Sequence, residues 1–232
     1  MWSKVSGVLA VQALLLVGPL AALAGAPAFE AWPLAGRVFV IDPGHGGIDG
    51  GCQAAGLLEK DVVLPVALEL AGQLRRAGAR VGLTRNQDME LGHMSAGPGS
   101  RYHRDLRTRM AVARRLGPDL YVSLHANASR HPQMNGAVVF YHPGRADGRR
   151  AAQRILQELA QVVPGNQNAA LPADLFVLRE NPYPAVLVEL GFLTHPRDRG
   201  ILTDPDGQKS LAGALFRALV RLHAHEPAAV PG

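Results

Sequence analysis

RVFVIDPGHGG, residues 37–47, decides the fold. Its first half is a short apolar run that Asp42-Pro43-Gly44 interrupts, so it predicts a strand leading into a turn. Downstream, residues 60–77 space Val63, Val66, Ala67, Leu70 and Leu74 as one helical face. Pro65 sits in the first turns, where proline is tolerated, and Gly78 suits a C-cap. ARVGLTR, residues 79–85, is the next strand, and residues 86–105, rich in Gly, Ser, Pro and His, predict a long loop of the functional or disordered kind. The alternation continues with a helix over 106–116 stopped by Gly117-Pro118, strands over 120–125, 136–142 and 185–189, and helices over 151–163 and 209–223. Apolar strands alternating with helices predict a single α/β domain, a mostly parallel or mixed sheet with helices on both faces.

Composition narrows the function. The chain has 232 residues, 47% of them hydrophobic, which is too apolar for a disordered polymer. Cys52 is the one cysteine, so no internal disulfide framework exists. The net charge of +5 and the sequence pI near 9.9 suit an anionic partner. Of the 24 basic residues only Lys4, Lys60 and Lys209 are lysine, and the arginines are dispersed. Aromatics make up 5% of the chain, so the stacking platform of RNA modules is missing and nucleic acid is not the expected partner.

The N-terminus reads as an address. Residues 1–26 combine Lys4, an apolar run over Val8–Val17 and Leu20–Leu23, and small-x-small cleavage candidates at 22–24 and 24–26. Val5–Ala26 is also just long enough for an uncleaved anchor, although Pro19 and the small residues favour cleavage. Both readings export the rest of the chain across the cytoplasmic membrane. A linker over 27–36, a catalytic domain over 37–224 and a tail over 225–232 complete the expected organisation.

Ligands of open α/β sheets gather beyond the carboxyl ends of the strands. His45 follows the first strand, His125 ends the 120–125 strand, and Glu189 ends AVLVE. Glu59 stands just before the first helix, so all four are expected at one rim. Each has an ordinary reading: histidines in glycine turns often cap, and Glu59 suits a helix N-terminus. Glu189 is harder to dismiss, because a buried carboxylate must be neutralised, paired or bound to metal. Two imidazoles and one carboxylate form a familiar catalytic zinc set with a place left for water. A second carboxylate can then serve as general base and acid. The residues by themselves leave open which glutamate takes which part.

DPGHGG, then LLEKD opening a helix, then SLHAN, then VELGFLTH resemble, in that order, the zinc-dependent N-acetylmuramoyl-L-alanine amidases of the amidase-3 type. The similarity runs from about Arg37 to Leu222, and within the family it is greatest to germination-specific, spore-cortex amidases. The resemblance implies a twisted six-stranded sheet, Zn2+ held by His45, Glu59 and His125, and Glu189 as catalytic acid/base. It also implies a reaction: hydrolysis of the amide between the lactyl group of N-acetylmuramic acid and the L-alanine of the stem peptide in peptidoglycan, feeding muramic-δ-lactam formation in the cortex. Competing readings are a zinc peptidase cutting within the stem peptide and a non-catalytic peptidoglycan-binding protein. A monomer is expected, touching membrane only through an N-terminal anchor. Some cell-division relatives carry a site-blocking helix after the strand at 136–142. Only Pro143–Arg150 stands there, so control is expected from expression, compartment or a protein partner.

Other residues have weaker claims. Asp42 and Asp49 are candidates to orient the ligand imidazoles, with a plain turn role open for Asp42. His195 stands where the family commonly has Asn; a polar turn residue before Pro196 is favoured over approach to the metal. Cys52 reads as a small packed side chain. Arg109 matches a family arginine, either structural or touching the stem peptide, while Arg101, Arg104, Arg107, Arg114 and Arg115 read as a solvated face.

Overall fold

Apolar residues at every position from Phe39 to Ile41 bury the first strand, β1 (Val38–Pro43), on both faces, and the sheet grows around it. The computed structural model describes residues 32–94 and 98–223. After β1 come β2 (Gln53–Ala54), β3 (Leu57–Leu58), α1 (Glu59–Arg76), β4 (Arg80–Leu83) and α2 (Arg101–Leu116). Then follow β5 (Leu120–Asn127), β6 (Val138–Tyr141), α3 (Ala146–Leu159), β7 (Ala169–Pro172) and α4 (Phe176–Arg179). The last elements are β8 (Ala185–Phe192), α5 (Pro196–Thr203) and α6 (Pro205–His223).

The six-stranded sheet runs β4-β1-β5-β8-β6-β7, and every pairing is parallel except β6 with β8. The expected single α/β domain with a mixed sheet is what the chain forms. Strand alternation sends Phe39, Ile41, Val122 and Leu124 to one face, under Val63, Val66, Leu70 and Leu74 of α1 and the apolar sides of α3 and α6. Val40 and Tyr121 point the other way, against Met110 and Ala113 of α2 and Val177 and Leu178 of α4. Each fully buried aliphatic side chain contributes about 1.5–3 kcal/mol, so these two layers fix the strand order that positions the site.

Several elements differ from expectation. Helix α2 starts at Arg101, where Ser100 Oγ accepts from the His103 amide, because the polar first turn gives no apolar period to read. Helix α3 likewise starts at Ala146 and α6 at Pro205. Strand β7 is short and half-exposed on the sheet edge, and its Ala-Ala-Leu-Pro sequence has little strand character. Within the stretch expected as linker, Leu34 is fully buried and its amide donates to Ala77 O at 3.1 Å. The leader, residues 27–31 of the linker and the tail lie outside the described residues. Among those described, no helix is long and apolar enough to cross a membrane. His142–Arg145 alone join β6 to α3, so no helix is inserted there.

Candidate metal centre

The turn after β1 is built to present an imidazole. His45 has φ +58°, a left-handed conformation uncommon outside glycine. Two buried arginines hold it there. Arg109 of α2 donates to Pro43 O and His45 O, both at 2.8 Å. Arg85, just past β4, donates to Pro43 O at 3.0 Å and Gly44 O at 2.8 Å. Arg109 is itself fixed by Asp42 and Asp105, each at 2.6 Å. Asp42 also accepts from Thr84 Oγ1 at 2.6 Å and Ser123 Oγ at 2.7 Å. Burial works to raise the pKa of Asp42, but Arg109 and these hydroxyls hold it well below the usual carboxylate range. Asp42 therefore orients an arginine and touches no imidazole, and Arg109 is structural. Arg85 was invisible in the sequence: nothing distinguishes it from the other dispersed arginines. Arg109→Met leaves Asp42 buried without its cation and is expected to cost about 3–5 kcal/mol in urea unfolding.

Glu59 arrives from the opposite side. Ala55 (φ 53°) and Gly56 (φ 79°) make the two-residue turn of the β2–β3 hairpin, whose paired positive φ angles match the strand twist. The hairpin delivers Glu59 as the first residue of α1, buried, with Oε2 accepting the Cys52 amide at 2.8 Å and Oε1 the Ala126 amide at 3.2 Å. Gly51, at φ +70°, allows this approach: a Cβ there would lie 2.5 Å from Glu59 Oε2 and 2.7 Å from His45 Cδ2. A Cβ on Gly44 would overlap the His125 ring.

His125, on β5, completes the cluster. Glu59 Oε1 lies 3.2 Å from His45 Nε2 and 2.7 Å from His125 Nδ1, and one donor atom from each residue lies within 4.8 Å of the others. Asp49 Oδ2 meets His45 Nδ1 at 2.9 Å, as expected, leaving Nε2 for the site. Burial disfavours a charge on His45, yet Glu59 and Asp49 outweigh it and lift its pKa to about 9. Burial would raise Glu59, but His125 and His45 hold it well below its usual range. The pocket thus attracts positive charge, and its two imidazole nitrogens and one carboxylate oxygen are the donor set that zinc takes. The three donors expected from the sequence fit such an ion.

Glu189 lies opposite His125 in the parallel β5–β8 register. Its Oε2 is buried with no hydrogen-bond partner, and burial pushes the carboxyl up to about 7, with Glu59 adding to the rise and the two imidazoles opposing it. Cys52 is half-buried, its Sγ donates to Ala126 O at 3.0 Å, and burial together with Glu59 pushes the thiol up to about 12. It is a packed thiol whose amide supports Glu59. His195 stands at the N-cap of α5, outside the donor cluster, with Nε2 3.3 Å from Asn135 Nδ2 and Nδ1 3.5 Å from Asp198 Oδ1. It is the turn residue the sequence favoured. Arg114 and Arg115 are exposed and Arg101 pairs with Glu90 at 3.1 Å, but Arg104 and Arg107 are half-buried, donating to Gly99 O at 2.7 Å and Pro98 O at 2.5 Å, so the solvated face is smaller than expected.

Residues 39–221 match the family model described as N-acetylmuramoyl-L-alanine amidase. The chain is 34% identical over 191 residues to the germination-specific N-acetylmuramoyl-L-alanine amidase of Bacillus subtilis, covering 82% of this chain and 81% of that one. It is 32% identical to the B. subtilis amidase LytC over 72% of this chain, and spans 31% of LytC. Among solved structures it is similar to the CwlD amidase of Clostridioides difficile in complex with the GerS lipoprotein, with TM-score 0.74, 29% identity, and coverage of 80% of this chain and 98% of that one.

Proposed function

Since the chain belongs to the N-acetylmuramoyl-L-alanine amidase family, we propose that it hydrolyses the amide between N-acetylmuramic acid and the L-alanine of the stem peptide, with Glu189 as proton carrier and His45, Glu59 and His125 as zinc ligands. One observation supports this above the others: Glu59 Oε1 meets both imidazoles while an unpartnered, buried carboxylate stands opposite His125 on the neighbouring strand. A zinc ion bound there would polarise the scissile carbonyl and acidify a water. Glu189 Oε2 accepts the proton of the attacking water and passes a proton to the leaving alanine amine. Asp49 accepts from His45 Nδ1, which leaves Nε2, the nitrogen facing Glu59, as the one that would give up its proton and ligate a bound ion. Arg85 and Arg109 keep the His45 backbone in its left-handed turn. Asp49→Ala is expected to weaken zinc affinity by about 10–100-fold in a competition titration with a chelating dye.

The reading extends to spore cortex as substrate, followed by muramic-δ-lactam formation with a deacetylase, on the strength of the similarity to the germination-specific relative. Export across the cytoplasmic membrane and control by a partner protein belong to the same proposal. The neighbour solved as a complex with a lipoprotein and the direct β6–α3 connection both support external control. Mass spectrometry of muropeptides after incubating zinc-loaded protein with purified cortex and vegetative sacculi tests the reaction. Intact free peptide beginning with L-alanine is expected, whereas truncated peptides still attached to sugar would show a peptidase instead.

A further inference from the structure

A groove of about 340 Å³ opens beside His45, between the glycine-rich turn and the start of α2, with walls that include Ile48, Asp49, Glu90, Arg101 and Tyr102. That size is enough for a ligand of one ring with substituents. Ile48 and Tyr102 are 69% and 60% exposed, and neither contributes to the core. These two exposed side chains on the walls of one groove offer apolar and aromatic contact to a ligand. The polar groups between them are already ordered: Glu90 Oε2 is 3.1 Å from Arg101 Nε, and Asp49 is bonded to His45.

This combination suits a pyranose ring. Ring C–H bonds pack on an aromatic face, while hydroxyl and acetamido groups donate to carboxylates and accept from a guanidinium. The groove also holds Asp105, and each of its three carboxylates already has a partner: Asp49 with His45, Glu90 with Arg101 and Asp105 with Arg109. With its charges paired, the groove offers no unpaired cation to the carboxylates of a stem peptide. We propose that this groove is the sugar subsite, with the N-acetylmuramoyl ring stacked on Tyr102 and flanked by Ile48, and the Glu90–Arg101 pair reading its polar substituents. The placement lays the lactyl arm toward His45, and it rests on the amidase reading for the identity of the sugar.

The test reads binding without turnover. The zinc-loaded full chain, labelled at isoleucine methyls, is titrated with the peptide-free disaccharide of N-acetylglucosamine and N-acetylmuramic acid, and separately with free stem peptide. Saturable disaccharide binding that shifts the Ile48 methyl is expected. Tyr102→Ala should weaken it by about tenfold, equivalent to about 1.4 kcal/mol, and Tyr102→Phe by less than about twofold, with peptide affinity unchanged in both variants. The subsite is wrong if the disaccharide does not bind saturably, if it binds without moving Ile48, or if Tyr102→Ala weakens the peptide instead. Loss of the amidase reading would show separately, as absent hydrolysis of sacculi by the unsubstituted protein.

Discussion

A Glu189→Gln variant is expected to keep its fold and its affinity for zinc and to hydrolyse peptidoglycan about 10²–10⁴-fold more slowly. The substitution preserves shape on β8, yet an amide cannot accept the proton that the carboxylate takes. In the metal-free chain the carboxyl sits at about 7, chiefly because it is buried. A dication among the three donors lowers that value, so the acid limb of kcat/KM falls below pH 7 and activity is lost as pH drops through it. The variant should lack that limb. The same burial makes a second, activity-free prediction. The folded-state pKa is raised above the ordinary 4.5, so the stability associated with this group is full below about 4.5 and lost as pH rises through about 7. Metal-free Glu189→Gln should therefore gain on the order of 3 kcal/mol over the unsubstituted protein in urea at pH 8, a gain that vanishes toward pH 4–5. Undiminished hydrolysis of sacculi by the variant would remove Glu189 from the mechanism.

Removing Glu59 is expected to be more drastic for the metal. Among the described residues its Oε1 is the one atom that meets both imidazoles, and the Cys52 amide holds Oε2 in place. Glu59→Gln should lower zinc affinity by more than the roughly 10–100-fold expected for Asp49→Ala, and hydrolysis should fall to background. Chelation of the unsubstituted protein should do the same, with recovery on adding zinc. NMR titration of the metal-free variant gives an independent reading. Glu59 leads the groups that lift His45 to about 9, so without that charge the His45 pKa should move down, with Asp49 as its remaining carboxylate partner. A variant that retains stoichiometric zinc at unchanged affinity would mean that the ion, if bound, sits elsewhere.

The strands of the central sheet were legible because parallel strands buried on both faces read as continuous apolar runs, as in RVFVID, LYVSLH and AVLVE. Their ends located His45, His125 and Glu189, and LLEKD placed Glu59 at a helix start. The β2–β3 hairpin and β7 stayed hidden, being two to four residues long and half-exposed, with no period to count.

The chain's own pattern of apolar runs, breakers and polar strand ends thus determined the fold class and which four side chains reach the rim. Only the tertiary structure decided the partners. Asp42 read either as a support for an imidazole or as a plain turn residue, yet β1 lies between β4 and β5, so the buried carboxylate meets Thr84, Ser123 and Arg109. Arg85 had no signal, yet that strand order sets it against the carbonyls of the His45 turn. Periodicity records which way a side chain points along its own strand. Which buried charge it meets depends on the neighbour across the sheet, and strand order is settled by packing between segments far apart in the chain.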